Sequence, residues 1–212
     1  MEKQVLFEPF DAQQQFIEAV MSGKHRDLLY GGAIRGGKSY VAIATLVMLA
    51  KVFPGSRWAV VRKDLPKIRR NVLPTFNKLR PRGFVGDVNR SHWSAQCSNG
   101  SEILFIAESI KDDPDLNKFF GLEVNGFLLE EASELTEAMY YKAIERAGTW
   151  TLPDGRQIPP VILLTCNPAQ TWTKSLFHDP HQAGKLPPER FFLQATAEDN
   201  PYISDDLKKS WK

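Results

Sequence analysis

A glycine-rich octapeptide near the N-terminus has the residue types and the spacing needed to bind a phosphate. Residues 32–39 match the pattern G-x-x-x-x-G-K-[ST] at every fixed position. Glycines let successive backbone N–H groups turn inward around a phosphate, and a helix beginning near Lys38 adds the positive end of its dipole. The candidate nucleotide-binding residues are Gly32, Ala33, Ile34, Arg35, Gly36, Gly37, Lys38 and Ser39.

The last two residues of this loop suggest a nucleoside triphosphate with its metal. A lysine at this place reaches the β- and γ-phosphates as a point charge, and the adjacent serine hydroxyl binds Mg²⁺. We therefore expect Lys38 to be catalytic and Ser39 to be a metal ligand. The alternative is a plain glycine-rich turn before a helix. A short apolar stretch before the loop and an apolar helix after it favour the phosphate site.

Two adjacent carboxylates follow an apolar stretch in the middle of the chain. Glu130 and Glu131 come directly after residues 127–129, which read Phe-Leu-Leu. Neighbouring side chains of a strand point to opposite faces, so we expect the two carboxylates to separate. Glu130 would join the Mg²⁺ shell, directly or through water, and Glu131 would orient the attacking water as general base. The alternative is an exposed acidic helix cap.

A third polar group follows another apolar stretch. Thr165, Cys166 and Asn167 come after residues 161–164 and precede Pro168. In open parallel sheets, ligands bind beyond the carboxyl ends of the strands. We expect Thr165 or Asn167 to sense the γ-phosphate and to relay hydrolysis to a moving segment; an Asn-Pro turn is the alternative. Cys166 is predicted to be a small buried apolar residue and not a nucleophile.

The N-terminal segment carries a weaker signal for base recognition. Residues 10–16 read FDAQQQF. The amide of Gln13 could read adenine while an aromatic ring supports the base. A polar helix face explains the same residues.

These polar groups need strands that end at one edge of a sheet. Apolar stretches alternate with helical patterns, which predicts an α/β fold with a mostly parallel central sheet flanked by helices. Strands are predicted at residues 27–30, 57–62, 124–129, 161–165 and 191–195, and helices at 11–21, 39–51, 67–79 and 135–147. Pro74 is expected to kink the third helix. Asn99-Gly100 between residues 93–97 and 102–107 predicts a β-hairpin.

Composition excludes several classes of protein. With 42% hydrophobic and 25% charged residues, the 212-residue chain is globular, and no apolar run is long enough to cross a bilayer. The net charge of +2 conceals two opposite blocks. Residues 57–90 contain ten basic and two acidic residues, whereas residues 101–137 contain ten acidic and two basic ones. The basic block either faces phosphate or pairs with the acidic block.

Together these motifs resemble the N-terminal ATPase domain of the large terminase family, the DNA-packaging motor subunits of tailed bacteriophages. The resemblance runs along nearly the whole chain, and the order and spacing of its motifs make it specific. It rests on Phe10, Gln13, Phe16, residues 32–39, the strand with Arg62, residues 120–122 (Phe-Gly-Leu), 127–134 (Phe-Leu-Leu-Glu-Glu-Ala-Ser-Glu), 165–168 (Thr-Cys-Asn-Pro) and 199–201 (Asp-Asn-Pro).

The resemblance implies a P-loop NTPase of the additional-strand type that uses ATP and Mg²⁺ to move double-stranded DNA into a procapsid. It implies a homo-oligomeric ring, with the portal protein and the small terminase subunit as partners, at the procapsid portal in the cytoplasm of the bacterial host. It assigns Gln13 to the adenine side, Glu130 to the metal and Glu131 to catalysis. Thr165, Cys166 and Asn167 would form the coupling motif.

Two positions depart from the family pattern. The metal-side acid is often aspartate there, and the longer arm of Glu130 favours contact with the metal through water. Phosphate loops of the family often carry an arginine one position before the place of Arg35. In this chain Arg35 is the candidate that would stabilise charge within its own subunit. A ring motor also needs an arginine from the neighbouring subunit. Arg62 and Arg146 are the candidates.

Large terminases also have a C-terminal nuclease domain. We expect residues 1–212 to form the ATPase domain alone, monomeric in isolation, weakly active and unable to cut DNA. Two other classes fit the same motifs: another ring or helicase-type ATPase that acts on nucleic acid, and a nucleotide-dependent switch or scaffold with little hydrolysis.

Overall fold

The computed structural model describes residues 7–32, 36–196 and 198–203. Within these residues, seven strands form one sheet in the order β3-β4-β2-β5-β6-β1-β7. All neighbouring strands pair in parallel except β3 and β4, which form the predicted hairpin. The strands are β1 (Asp27–Gly32), β2 (Arg57–Arg62), β3 (Ser94–Gln96), β4 (Glu102–Ala107), β5 (Gly126–Leu129), β6 (Val161–Cys166) and β7 (Arg190–Ala195).

Helices cover both faces of the sheet, as the alternating pattern predicts. Adjacent residues of β1 show the two faces, because Leu28 packs in one hydrophobic cluster and Leu29 in the other. The first cluster takes residues from α1, α2 and α4, and the second takes residues from α5. The helices are α1 (Asp11–Met21), α2 (Lys38–Val52), α3 (Leu65–Lys67), α4 (Leu73–Leu79), α5 (Glu137–Arg146) and α6 (Asp179–Gln182), with further π and 3₁₀ turns.

The sheet order matches the additional-strand type. Strand β6 lies between β1, which leads into the glycine-rich loop, and β5, which leads into the paired glutamates. All residues of β1, β5 and β6 are buried, so each reads as a continuous apolar run and not as an alternating one. The predicted fold class is therefore confirmed.

The structure differs from the sequence prediction where local geometry departs from a regular helix or strand. The third helix runs from residue 65 to 79 but contains a π-helical turn, Ile68–Val72, which ends two residues before Pro74. Such a turn accommodates the missing N–H and the ring of a proline. Strand β5 begins at Gly126 and not at Val124, which makes only an isolated bridge to Ala147. In the described part of the chain, no helix combines the length and hydropathy of a membrane span.

Candidate nucleotide-binding site

The predicted functional groups meet at one edge of the sheet. Strands β1, β6, β5 and β2 are consecutive neighbours and run in parallel, so their carboxyl ends lie side by side. The glycine-rich loop, the coupling motif, the paired glutamates and Arg62 each follow or end one of these strands. The order of the strands thus assembles residues that are up to 135 positions apart in the sequence.

The first residue of the glycine-rich loop, Gly32, lies at the end of β1, where only a glycine fits. Gly32 has φ +123°, and a Cβ atom there would lie 1.8 Å from the carbonyl oxygen of Ala195. The Tyr30 hydroxyl donates to the Gly36 carbonyl at 3.3 Å and ties the loop to the core. Ala33, Ile34 and Arg35 lie outside the described residues, so their roles stay predictions.

Lys38 is the first residue of α2, and its side chain reaches back to the first residue of the glycine-rich loop. Its Nζ donates to the Gly32 carbonyl at 3.1 Å, and the residue is only 6% exposed. Burial lowers the pKa of the ammonium group, and the carboxylate of Glu131 opposes this effect. The position suits a cation that binds phosphate between the loop and the glutamates.

Gln13 of α1 contacts the far end of the loop. Its Nε2 donates to the Gly37 carbonyl at 3.1 Å, and its Oε1 accepts from the Phe10 backbone N–H at 3.3 Å. Gly37 lies in the left-handed region with φ +69°, and a Cβ atom there would meet Gln13 and Phe10. The predicted glutamine and aromatic residue are therefore neighbours of the loop, where a base could lie.

Ser39 and Glu130 form a contact suited to Mg²⁺. The Ser39 hydroxyl donates to Glu130 Oε1 at 2.6 Å across 91 residues of sequence. Glu130 is 3% exposed; burial raises its pKa, while the Arg62 charge and the Ser39 hydrogen bond act in the opposite direction. Among the residues described, no cluster of three or more histidine, cysteine or acidic side chains is placed to hold a metal. One carboxylate and one hydroxyl still fit Mg²⁺, which usually keeps waters and phosphate oxygens as its other ligands.

Glu131 separates from Glu130 because the backbone turns sharply. Strand β5 ends at Leu129, and Glu131 adopts the left-handed conformation with φ 53° and ψ 57°. Its N–H donates to Thr165 Oγ1 at 3.0 Å. The separation predicted from strand alternation is present, but a turn after the strand produces it.

The coupling motif holds the carboxylate of Glu131 directly. Asn167 Nδ2 donates to both carboxylate oxygens, at 3.1 and 3.0 Å, and the Asn167 backbone N–H lies 3.3 Å from Oε2. Thr165 holds the backbone of the same glutamate. These contacts bring together the predicted general base and the predicted sensor.

Cys166 lies between these two residues and faces the opposite side of the sheet. It lines a cavity of about 270 Å³ together with Gly31, Phe192 and Thr173. Burial raises the pKa of its thiol to about 11, so the thiol is neutral near pH 7. This agrees with the interpretation of Cys166 as a small apolar residue.

The two candidate trans arginines both contact their own chain. Arg62 is 4% exposed and its Nε lies 2.6 Å from Glu130 Oε2, so it is not presented to a neighbouring subunit. Arg146 Nε donates to the Leu122 carbonyl, near the amino end of β5 and thus away from the glutamates. The arginine that would act on a neighbouring subunit therefore stays unassigned. Arg62 instead lies inside its own subunit's site, beside Glu130.

Sequence reasoning missed the contacts of Arg62 and of Glu134. Arg62 Nη1 donates to Glu134 Oε2 at 3.0 Å, so one arginine joins two acids of the LLEEASE segment. The register of β2 and β5 pairs Val61 with Leu129, which places Arg62 beside Glu130. Only the strand order could have revealed this neighbour, because 68 residues separate the two in sequence.

The sheet order, the glycine-rich loop and the two glutamates define a P-loop NTPase of the additional-strand class. A family model described as "Phage terminase large subunit" matches residues 24–212, and the chain belongs to this family.

Solved structures agree with this assignment. A large terminase from a thermophilic bacteriophage superimposes with a TM-score of 0.76 at 20% identity, over 96% of this chain and 50% of that one. A crystal form of the same terminase with ADP gives 0.75 at 23% identity, over 96% and 49%. The large terminase ATPase domain of Thermus phage P74-26 gives 0.61 at 16% identity, over 95% and 91%. The chain thus spans about half the length of the first of these terminases. No curated protein sequence matches it.

Proposed function

We propose that the chain is the ATPase engine of a phage DNA-packaging motor, which hydrolyses ATP to drive double-stranded DNA into a procapsid. The observation that carries the proposal is that the two adjacent glutamates contact different parts of the site. Glu130 contacts the P-loop serine, whereas Glu131 contacts the coupling motif. A metal-side acid and a separately held base are what hydrolysis of a bound triphosphate requires.

Each part of the site has a distinct task in this proposal. Lys38 and the loop N–H groups bind the phosphates, and Gln13 with Phe10 borders the base. Ser39 and Glu130 hold Mg²⁺, which neutralises charge on the β- and γ-phosphates. Glu131 takes the proton of the attacking water. Asn167 and Thr165 hold Glu131, so a change at the coupling motif changes the position of the base.

The basic block supplies the surface that we propose to face DNA. Three of its residues pair with the acidic block, namely Arg57 with Glu102, Arg62 with Glu130 and Glu134, and Lys67 with Glu134. The exposed basic residues of the block lie outside these pairs, and we call them the basic surface: Lys63, Arg69, Arg70, Lys78, Arg82 and Arg90. Arg69 stacks over Trp93 at 5.1 Å and joins the helical segment to the hairpin.

The resemblance to large terminases also supports a proposal for the partners. We propose a homo-oligomeric ring at the procapsid portal in the bacterial cytoplasm, in contact with the portal protein and the small terminase subunit. The opposite charges of the basic surface and of the acidic block suit head-to-tail contact between subunits.

Substitution of Glu131 tests the proposed hydrolysis. Glu131→Gln keeps the size and one acceptor oxygen for Asn167 but cannot accept a proton, so we expect turnover to fall by about 10²–10⁴ while ATP affinity stays within about threefold. Lys38→Ala should lose ATP binding itself. The measurements are steady-state phosphate release and fluorescent-nucleotide binding.

The control variant is Glu137→Gln, which removes an exposed carboxylate of α5 outside the site. It should behave like the parent. Parental turnover by Glu131→Gln would refute the assignment of the base.

A further inference from the structure

Four side chains of alternating charge form a line from the metal site to the surface. Arg62 Nε lies 2.6 Å from Glu130 Oε2, and Arg62 Nη1 lies 3.0 Å from Glu134 Oε2. The same oxygen of Glu134 is 2.5 Å from Lys67 Nζ. We call Glu130, Arg62, Glu134 and Lys67 the ionic chain.

The ionic chain is buried at one end and open at the other. The side chains of Glu130 and Arg62 are 4% and 5% exposed, whereas those of Glu134 and Lys67 are 37% and 33% exposed. A buried charge must keep a partner, but a surface pair can exchange partners at little cost. Exchange therefore has to begin at the ends, where Ser39 contacts Glu130 and where Lys67 meets solvent.

Lys67 also borders the basic surface. It directly precedes the π-helical turn Ile68–Val72, which carries the exposed Arg69 and Arg70. An anion bound by those arginines would lie near the Lys67 ammonium group and would compete with Glu134 for it. A DNA backbone phosphate is such an anion.

We infer that the ionic chain links the metal site to the basic surface, because each cation of the chain can exchange its acidic partner for the next anion toward the surface. This inference rests on the proposed function. Without ligands, Arg62 is shared between Glu130 and Glu134, and Lys67 pairs with Glu134. If the carboxylate of Glu130 were bound to Mg²⁺, the Arg62 guanidinium would lose that partner and would pair with Glu134 alone. Glu134 then releases Lys67 to a phosphate of DNA. Every charge keeps a partner in both arrangements.

The shift works in both directions, because coupling between two binding sites is reciprocal. A phosphate that takes Lys67 leaves Glu134 to Arg62 and so frees Glu130 for Mg²⁺. Duplex DNA and Mg²⁺-nucleotide should therefore tighten each other's binding. Nucleotide without Mg²⁺ should not, since the shift begins with the metal.

Chemical labelling of Lys67 tests the half of this scheme that needs no DNA. The contact with Glu134 occupies the Lys67 amine and partly shields it from the reagent, so the paired amine should acetylate slowly. The rate of labelling by acetic anhydride is measured by mass spectrometry with and without Mg²⁺-ATPγS. We expect Mg²⁺-ATPγS to raise the rate about fivefold at Lys67, a size within the usual range for coupled sites. The rate at the exposed Lys63 should not change. ATPγS in EDTA should leave Lys67 unchanged. In Glu134→Gln, Lys67 should be labelled fast under all conditions.

Equal labelling of parental Lys67 with and without Mg²⁺-ATPγS overturns the inference, and so does Mg²⁺-dependent labelling that survives in Glu134→Gln. Because glutamine keeps the shape of glutamate, the variant should melt within a few degrees of the parent. Glu137→Gln serves as the matched control and should retain the Mg²⁺ dependence.

Equilibrium binding tests the second half. We expect saturating duplex DNA to tighten Mg²⁺-ATPγS binding about tenfold in the parent and less than about twofold in Glu134→Gln. Arg70→Met, a basic-surface change outside the ionic chain, should weaken DNA binding but keep the tenfold coupling. Retained coupling in Glu134→Gln refutes the inference. The inference is also refuted if the parental protein binds duplex DNA and Mg²⁺-ATPγS with no effect of one on the affinity for the other. That result would not contradict the proposed function. A parent that binds no duplex contradicts the proposed DNA contact instead, and the Lys67 labelling still decides the ionic chain.

Discussion

At the scale of single residues, Glu131 shows how position and chemistry depend on each other. A left-handed backbone costs a non-glycine residue on the order of 1 kcal/mol. Its N–H bond to Thr165 and the contacts of its carboxylate with Asn167 stabilise the conformation. The coupling motif therefore determines where the carboxylate lies before any nucleotide binds.

The two thiols provide a prediction at the same scale. Burial raises the pKa of both Cys97 and Cys166 to about 11, so both are protonated at pH 8. We expect iodoacetamide to alkylate the folded chain slowly at pH 8 and the urea-unfolded chain fast, as mass spectrometry would measure. Fast alkylation of Cys166 in the folded chain would contradict its apolar role.

The same thiols predict a pH dependence of stability. Unfolded thiols release their protons near their ordinary pKa of 9.0, whereas the folded ones hold them up to about 11. The folded state therefore binds more protons in this window, and their contribution to stability is lost as the pH rises from about 9 to 11. The loss should be smaller in Cys97→Ala when urea midpoints at pH 8 and pH 10.5 are compared.

Much of the site could be predicted from the sequence because each motif directly follows an apolar run. This holds for Gly32, for Glu130 and Glu131, and for Thr165. The role of Arg62 could not be predicted, because its partner depends on which strand lies beside β2. The conformation of Glu131 was equally hidden, since its residue type gives no signal for a left-handed turn.

At the scale of elements, a buried hydrogen bond joins α5 to the start of β1. The Tyr140 hydroxyl donates to Asp27 Oδ2 at 2.7 Å, and Arg26 pairs with the same carboxylate. Asp27 is fully buried. Arg26 also donates to both oxygens, so loss of the hydroxyl would remove one of three donors to this buried carboxylate.

We therefore expect Tyr140→Phe to lower the free energy of unfolding by about 1–3 kcal/mol. The matched control is Tyr141→Phe on the same helix, whose half-exposed ring should change stability by less than about 0.5 kcal/mol. Urea denaturation measures both. Equal effects of the two variants would show that the Asp27 contact is not stabilising.

Element positions were predictable where hydrophobic periodicity alone determined them. The structure places α1 and β2 at the predicted bounds. The π-helical turn before Pro74 and the late start of β5 at Gly126 were not predictable. Both depend on how the backbone accommodates a proline or a neighbouring segment, which the hydrophobic pattern does not report.

At the scale of the whole molecule, the small net charge of +2 conceals two opposite blocks that cancel in the sum but only partly pair with each other. Within the part of the chain that the structure describes, the exposed basic residues of the basic block that make no ion pair are those of the basic surface. Reversal of two of its charges in Arg70→Glu/Lys78→Glu should weaken duplex binding and flatten its dependence on salt. The log–log slope should fall by about one unit for each DNA phosphate that the variant no longer binds.

The control reverses two exposed lysines outside the basic surface, Lys24→Glu/Lys185→Glu, with the same change in net charge. Fluorescence anisotropy at several salt concentrations measures both variants. Identical slopes in the two would assign the basic surface to contacts between subunits.

The position of β1 also has a consequence for synthesis on the ribosome. Of the seven strands that the structure describes, β1 leaves the exit tunnel first and its two neighbours leave it last, since Asp27 pairs with Ile162 and with Arg190. Strands β2 to β5 can pair among themselves much earlier. Until residue 195 emerges, the apolar β1 lacks its full set of partners and is a natural client for a chaperone. Because Gly31 pairs with Cys166, a nascent chain cannot bring the end of β1 beside the coupling motif until β6 has been made.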